Sequence, residues 1–322
     1  MERHVLWLSN ELVSRGNSVT VISAGGKLEA YLKDVEHWTL PVQRKNLFTG
    51  FYCAIRIALR AKQENWQIFH SHSRAPSWIA WWASCFTGIP FVITAHSFYS
   101  LNIGLYPLKK AYAVISVSSA VRKYLKKFLP DNNKIIYNGL PPVKLAWECS
   151  PKTGSRLLFI GRLTRLKGVH ILLKALAGLT PYKWSLDVVG DGPQRQDLET
   201  LTNDLGLSDR VIFRGFQDNT EQWLAKCSCL VFPSLEEGMG LTLMRAVQMG
   251  VPVIASDLPA VRELTSSPET LVKPGSTEYW GDALESFMVS GKVSKDFKRD
   301  LIMSQVEAVE KIEQQVYIPL LS

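Results

Sequence analysis

Short apolar runs, each bounded by a turn signal and each neighboured by an apolar stripe at helical spacing, recur along the whole chain. Near the start Val5, Leu8, Leu12 and Val13 share one helical face that ends at Gly16, and SVTVIS follows as a buried strand. HWTL reads as the next strand, residues 51–61 as a helix, QIFHSH as a strand and residues 76–86 as a helix. FVITA and AYAVISVS are further strands, residues 119–128 a helix, and KIIYNG closes the series. Residues 140–155, LPPVKLAWECSPKTGS, interrupt the rhythm with three prolines and a glycine. It then resumes: RLLFIG, a helix from Val169, SLDVVG, a helix from Gln194, RVIFRG, a helix around Glu221, CLVFPS, a helix from Gly240, PVIAS and a long C-terminal helical region. Alternating strands and helices predict an α/β protein with parallel sheets. Two doubly wound, Rossmann-like domains are expected over residues 1–145 and 146–305, facing each other across a cleft with ligands at the carboxyl ends of the strands. A helix over 306–322 is expected to pack back on the first domain.

The chain opens directly on the helix ERHVLWLSNEL, with no strand to feed it. A doubly wound parallel sheet places its first strand near the middle, so the first sheet is expected to lack that strand and to leave backbone groups of its neighbours unpaired.

Composition narrows the class. The chain has 322 residues, 46% of them hydrophobic and 20% charged, which suits two folded domains and excludes a disordered or repetitive protein. Residues 1–150 hold 18 Lys and Arg against 8 acids, whereas residues 151–322 hold 19 against 21. The basic first half points to an anionic membrane surface or a phosphorylated acceptor; nucleic acid is not expected, because no zinc-finger spacing, basic heptad helix or RNA-binding aromatic motif accompanies the charge. Cys53, Cys85, Cys149, Cys227 and Cys229 form an odd set without a C-x-x-C pair, so reduced thiols and a cytoplasmic location are expected rather than disulfides or zinc. Residues 75–108 carry no Asp, Glu, Lys or Arg, a length that could span a bilayer. TGIP divides the stretch, and a helix beside a buried strand accounts for it better.

The chemistry-bearing stretches lie at strand ends in the second half. Gly161, Arg162 and Lys167 fall in the loop after RLLFIG, where two cations and helix-start amides suit a diphosphate; a solvated loop is the plainer reading. Gly190 and Gly192 repeat the arrangement one strand later, without the third glycine of a dinucleotide fingerprint. In EEGMGLTLMRA, Glu237 precedes Gly238, Met239, Gly240 and Leu241 at a helix N-terminus, where a carboxylate accepts from a polyol or simply favours the helix dipole.

Together GRLTRLKG, VVGDGPQRQDL, VIFRGF, FPSLEEGMGLTLMRAVQMGVPVIAS and VKPGS resemble the retaining glycosyltransferases of family 4, which have the GT-B fold. ERHVLWLSNELVSRGNSVTVIS, IFHSHS, VITAHS, VISVSSAVRKYL and IIYNG are similar to the same family, so the resemblance covers nearly the whole chain. It implies transfer of a sugar from a nucleoside diphosphate, uridine-based, to a hydroxyl on a glycan or lipid-linked acceptor in cell-surface polysaccharide synthesis, at the inner face of the cell membrane. Arg162 and Lys167 then grip the diphosphate, Glu237 contacts the transferred sugar, and the backbone of Gly238–Leu241 faces that sugar and phosphate. Gly161, Gly190, Gly192 and Phe216 line the donor, and His96 reaches the sugar from the first domain. No cofactor beyond the donor substrate and no metal is expected. Arg245 stands where the family holds a second glutamate that accepts from the ribose hydroxyls, and arginine has no acceptor. A noncatalytic scaffold or binding subunit, and a GT-B epimerase, remain open beside the transferase.

Overall fold

The computed structural model describes residues 2–44, 46–148, 155–291, 293 and 296–322. The chain divides into two compact units, Met1–Pro141 with Met303–Ser322, and Pro142–Ile302. The polypeptide therefore changes unit four residues before the expected position 145/146, within the same proline-rich stretch, and returns at Ile302/Met303. Cys149 and the middle of that stretch, residues 149–154, lie outside the described residues.

The first unit runs α1 (Glu2–Ser14), β1 (Thr20–Ser23), β2 (Glu36–Thr39), α2 (Leu47–Gln63), β3 (Phe69–His72), α3 (Arg74–Thr87), β4 (Phe91–Ala95), α4 (Tyr106–Lys110), β5 (Ala113–Ser116), α5 (Ser119–Leu125) and β6 (Asn133–Ile135). α2 starts earlier than the apolar stripe alone indicates because the Asn46 side chain caps it, accepting from the Phe48 and Thr49 N–H groups. The helix expected to reach residue 128 stops at Leu125 and continues as a 3-10 turn, Lys126–Phe128. Residues 75–108 hold most of α3, then β4 and the start of α4, and no helix among the described residues is long and apolar enough to cross a membrane.

Strand pairing in this unit is divided. β1 pairs only with β2, in parallel, while β3-β4-β5-β6 form a separate four-stranded parallel sheet. Among the described residues no strand lies against the free edge of β1 or of β3. A cavity of about 1920 Å³ runs along both edges, lined by Thr20–Ser23 and Phe69–His72. The sequence pattern predicts a buried strand at SVTVIS, but all four residues of β1 are half-buried, since β1 pairs with β2 on one side and borders the cavity on the other.

The second unit runs β7 (Ser155–Ile160), α6 (Val169–Ala177), β8 (Trp184–Val189), α7 (Arg195–Asp204), β9 (Val211–Gly215), α8 (Thr220–Lys226), β10 (Cys229–Phe232), α9 (Leu241–Met249), β11 (Val253–Ala255), α10 (Pro259–Glu263) and α11 (Thr277–Ser290). Its sheet is continuous and parallel, in the order β11-β10-β7-β8-β9. Leu157, Phe159, Leu172, Leu186, Val188 and Trp280 form the centre of its core.

The expected long C-terminal helix is broken: α12 (Gln305–Ile312), a π turn (Glu313–Tyr317) and α13 (Ile318–Leu321) belong to the first unit. The Leu140 N–H donates to the Met303 carbonyl and the Gln305 N–H to the Leu140 carbonyl, both at 3.0 Å. Val309, Ile312 and Val316 then join Leu8, Leu12, Val92 and Ile115 in one apolar cluster. Burial of this order supplies roughly 1.5–3 kcal/mol per large aliphatic side chain, so the returning segment is part of the unit's core rather than an appendage.

Candidate functional site

Three strand ends of the second unit are pressed together. The Gly161 N–H, just past β7, donates to the Val189 carbonyl at 3.0 Å. Gly190, just past β8, has φ +133°, and a Cβ there would lie 1.9 Å from the Gly161 carbonyl oxygen. Gly168, at φ +69°, would place its Cβ 1.9 Å from the Pro233 carbonyl oxygen, just beyond β10. Only glycine satisfies both the backbone conformation and the space at these two positions. A Cβ on Gly192 would likewise meet Leu163 backbone, and the Gly190 N–H donates to the Gly215 carbonyl at 2.8 Å, which ties in the end of β9.

Charge is mounted on this frame. Lys167 closes the 3-10 turn Arg165–Lys167 and forms an ion pair with Glu237, from the loop after β10. Both side chains are half-buried, so a cation and a carboxylate 70 residues apart are held at one point, and the Leu235 N–H reinforces it by donating to the Leu166 carbonyl at 2.7 Å. Gly240, left-handed at φ +73°, caps α9, and Glu237 lies against it. Residues 238–241 thus lead into a helix N-terminus whose free N–H groups favour anions. Met239 is buried beneath this loop. Arg162 is exposed on the β7 loop and forms no ion pair among the described residues. Phe216 is exposed immediately past β9.

The structure adds residues the sequence did not single out. Arg195 stands at the start of α7, paired with Glu199 at 2.8 Å and Asp191 at 3.3 Å, and its guanidinium borders Gly215. Ser234 Oγ and Gln194 Oε1 are buried polar atoms without a hydrogen-bond partner among the described residues, beside the same strand ends. An orphaned buried acceptor or hydroxyl is costly, and a polar ligand is one way to satisfy it. Arg195 and Gln194 fall inside GDGPQRQDL and Ser234 inside FPSLEEGMGL, stretches whose other residues drew the reading.

Arg245 is ion-paired within the second unit. From the middle of α9 its guanidinium donates to Gln248 Oε1 at 2.9 Å and pairs with Glu221 of α8 at 3.4 Å, and Glu221 also accepts from the Lys144 N–H at 3.1 Å. Its charge serves the packing of α8 on α9.

His96 belongs to a histidine cluster of the first unit, at the end of β4. Its Nε2 lies 3.0 Å from His72 Nδ1, the His4 ring packs edge-on to both, and His70 stacks on His72. His70 also bonds Tyr317 at 2.5 Å and Thr94 at 2.7 Å. Burial lowers all four: His4 to about 4, His70 to about 3, His72 and His96 well below the usual value. They are neutral at pH 7, and a neutral imidazole both donates and accepts. His4, His72 and His96 are also the group among the described residues with metal-ligand geometry, their nitrogens within 4.8 Å of one another. His72 and His96 are hydrogen-bonded to each other through His72 Nδ1 and His96 Nε2.

Two α/β units, the second with cations and glycine-bounded loops at the carboxyl ends of its parallel strands, constitute the GT-B architecture. The profile described as glycosyl transferases group 1 matches residues 154–289, and that described as glycosyltransferase family 4 matches residues 1–144. The chain belongs to the family 4 glycosyltransferases. It is similar to a lipopolysaccharide core biosynthesis glycosyltransferase, LpsE, of Rhizobium meliloti, 36% identical over 33% of this chain and 31% of that one. To N-acetyl-alpha-D-glucosaminyl L-malate synthase of Bacillus anthracis it is 24% identical over 94% of this chain and 91% of that one. Against other curated relatives at 30% identity or more, the chain spans about two fifths of their length. The structure is similar to that of Anabaena HepE in complex with UDP and glucose, with a TM-score of 0.80, 20% identity, and coverage of 99% of this chain and 95% of that one.

Proposed function

We propose that the protein is a retaining glycosyltransferase that moves a sugar from a uridine diphosphate sugar to a hydroxyl of a glycan or lipid-linked acceptor in cell-surface polysaccharide synthesis. The observation that carries this is the Lys167–Glu237 pair held where the β7 and β10 loops meet. A diphosphate would take Lys167 over from Glu237 and leave the carboxylate to accept from sugar hydroxyls. Family membership, the lipopolysaccharide-core relative and the UDP- and glucose-bound likeness support the donor and acceptor class.

In the reaction the bond from the anomeric carbon to the diphosphate oxygen breaks, and the electron pair leaves with the diphosphate. Arg162 and Lys167 offset that growing charge, which makes them worth more in the transition state than in the ground state, and the reaction uses them in place of a metal ion. The acceptor oxygen bonds the anomeric carbon on the same face, and its proton passes to a donor phosphate oxygen. The Gly238–Leu241 backbone faces the phosphate and sugar; Gly161, Gly190, Gly192 and Phe216 bound the donor. Neutral His96 serves as a donor or acceptor toward the sugar. The basic first unit gives the protein an anionic membrane surface as partner, and the reduced thiols fit a cytoplasmic setting. Arg245, engaged with Glu221, favours a second reading, a binding subunit with impaired turnover.

Lys167→Ala is expected to cut transfer from UDP-glucose by about 100- to 1000-fold, the loss that accompanies removal of one preorganised charge stabiliser, while the circular dichroism spectrum at 25 °C stays that of the folded parent. Transfer within a factor of two of the parent in both Lys167→Ala and Arg162→Ala would sink the assignment. UDP binding without turnover, with any acceptor tried, would select the second reading.

A further inference from the structure

Three elements of the first unit bring their histidines to one point. β3 and β4 are parallel neighbours whose register sets His72 beside Thr94, so His72 at the end of one strand and His96, two residues past Thr94, share a face. α1 supplies the third ring: Leu8 and Leu12 join Val92 and Ile115 in the core, and His4, one helical turn before Leu8, is carried over the strand ends. His70 stands beside them with both ring nitrogens engaged, by Tyr317 and by Thr94.

The other three imidazoles have an unmet demand. His4 is only 8% exposed, and its Nε2 has no hydrogen-bond partner among the described residues. One nitrogen from each of His4, His72 and His96 lies within 4.8 Å of the others. A tetrahedral ion bound to imidazole at about 2.0–2.1 Å sets its ligand nitrogens about 3.3 Å apart, so the widest pair must close by at most about 1.5 Å. Each neutral ring offers one lone pair, and a tautomer shift turns it toward the ion without release of a proton. Neither a carboxylate nor a thiol belongs to the group among the described residues, which disfavours the oxygen-seeking Ca²⁺ and Mg²⁺ and suits Zn²⁺, Co²⁺, Ni²⁺ or Cu²⁺. His72 lines the cavity of about 1920 Å³, which gives an ion its route in.

We propose that His4, His72 and His96 form a site for one divalent transition ion of the zinc class, with water at the fourth position, and that the bound ion takes His96 from the sugar and so inhibits transfer. The inhibition rests on the reading above that His96 serves the sugar; the site itself does not. Arg162 and Lys167 still offset the leaving charge, so the ion is a brake rather than a cofactor.

Calorimetric titration of the EDTA-stripped full chain with zinc chloride tests the site. The parent is expected to bind one Zn²⁺ per chain. Co²⁺ in its place is expected to give the visible absorption of a tetrahedral ion with nitrogen and oxygen ligands and no thiolate charge-transfer band. His4→Phe and His72→Phe keep a ring in place, and each is expected to weaken binding beyond the about 10- to 100-fold that loss of an outer partner costs. Circular dichroism checks that each is folded, and electron spin-echo spectra of the Cu²⁺-loaded parent count coordinated imidazoles without any substitution, with three expected. His37→Ala combined with His170→Ala removes the two histidines outside the cluster and is expected to bind as the parent does. No uptake, uptake that survives both Phe variants, uptake lost in the His37→Ala, His170→Ala chain, or a thiolate band overturns the site. Transfer from UDP-glucose is read in parallel. One equivalent of Zn²⁺ is expected to slow the parent about tenfold or more, since a contact to the sugar is lost. EDTA should restore the rate, and His4→Phe should resist the ion. Zn²⁺ held by the three histidines with transfer undiminished overturns the brake. Zn²⁺ binding by a chain that transfers nothing even when stripped supports the site and removes the catalytic reading.

Discussion

The two units are written in the same alternation of strand and helix, yet only one closes its sheet. In the second unit every strand from β11 to β9 has its neighbour, and Leu186 and Val188 at the centre are fully buried. In the first unit β1 and β3 each have a free edge along one cavity, and Val21 and Ile22 remain half-buried. Composition adds to the difference, since TVIS is half polar while CLVF and VIA of the second unit are wholly apolar. What differs is continuity: the five strands of the second unit share one sheet, whereas those of the first are divided into a pair and a set of four. A parallel strand owes its stability to flanking strands and covering helices together, and loses much of it when one side is open.

Acid gives the largest separation between the units. His4, His70, His72 and His96 have pKa values lowered by burial, so the unfolded chain takes up their protons first. Their neutral forms support the fold fully above about 6.5, and that support is lost as pH falls from there toward about 4, where His4 itself titrates. The loss approaches about 1 kcal/mol per pH unit for each such histidine, so the first unit is expected to unfold before the second as pH drops from 6.5 to 5. Hydrogen exchange resolved by segment would read this; simultaneous exposure of both units would break the comparison.

A smaller effect is expected in the second unit from Arg245→Glu. The substitution sets two carboxylates together at Glu221 in a largely buried place, at a cost of about 3 kcal/mol in urea unfolding, and Arg245→Met should cost less. A variant as stable as the parent would mean that the α8–α9 pair carries no net weight.

The smallest effect contrasts the two sheets directly. Leu186→Ala, at a fully buried strand position, should cost about 3 kcal/mol, whereas Ile22→Ala on half-buried β1 should cost about 1. Equal costs would show that β1 is held as firmly as β8.

The order of strands and helices was legible because buried parallel strands are apolar runs and their crossovers are amphipathic. Short elements such as α4 and α10, five residues each, were not, since one turn of helix leaves no periodicity to read. The glycines at strand ends were legible as a class, but not their reason: the contacts of Gly168 with Pro233 and of Gly190 with Gly161 join loops distant in sequence. The same holds for Lys167 with Glu237 and for Arg245 with Glu221. The pattern of α2 concealed the exposure of Phe48 and Leu59, because a helix apolar all round normally signals burial on every side.

The return of residues 303–322 to the first unit has a consequence for synthesis on the ribosome. Chains emerge from the N-terminus, and contiguous domains ordinarily fold in that order. Here residues 142–302 form a contiguous unit and can complete their core as they appear. The earlier-made first unit must wait for Val309, Ile312, Val316 and Tyr317, the last of which reaches His70. During translation its apolar surface therefore stays open longest, and released chains truncated after residue 302 should show a protease-resistant second unit attached to a protease-sensitive first.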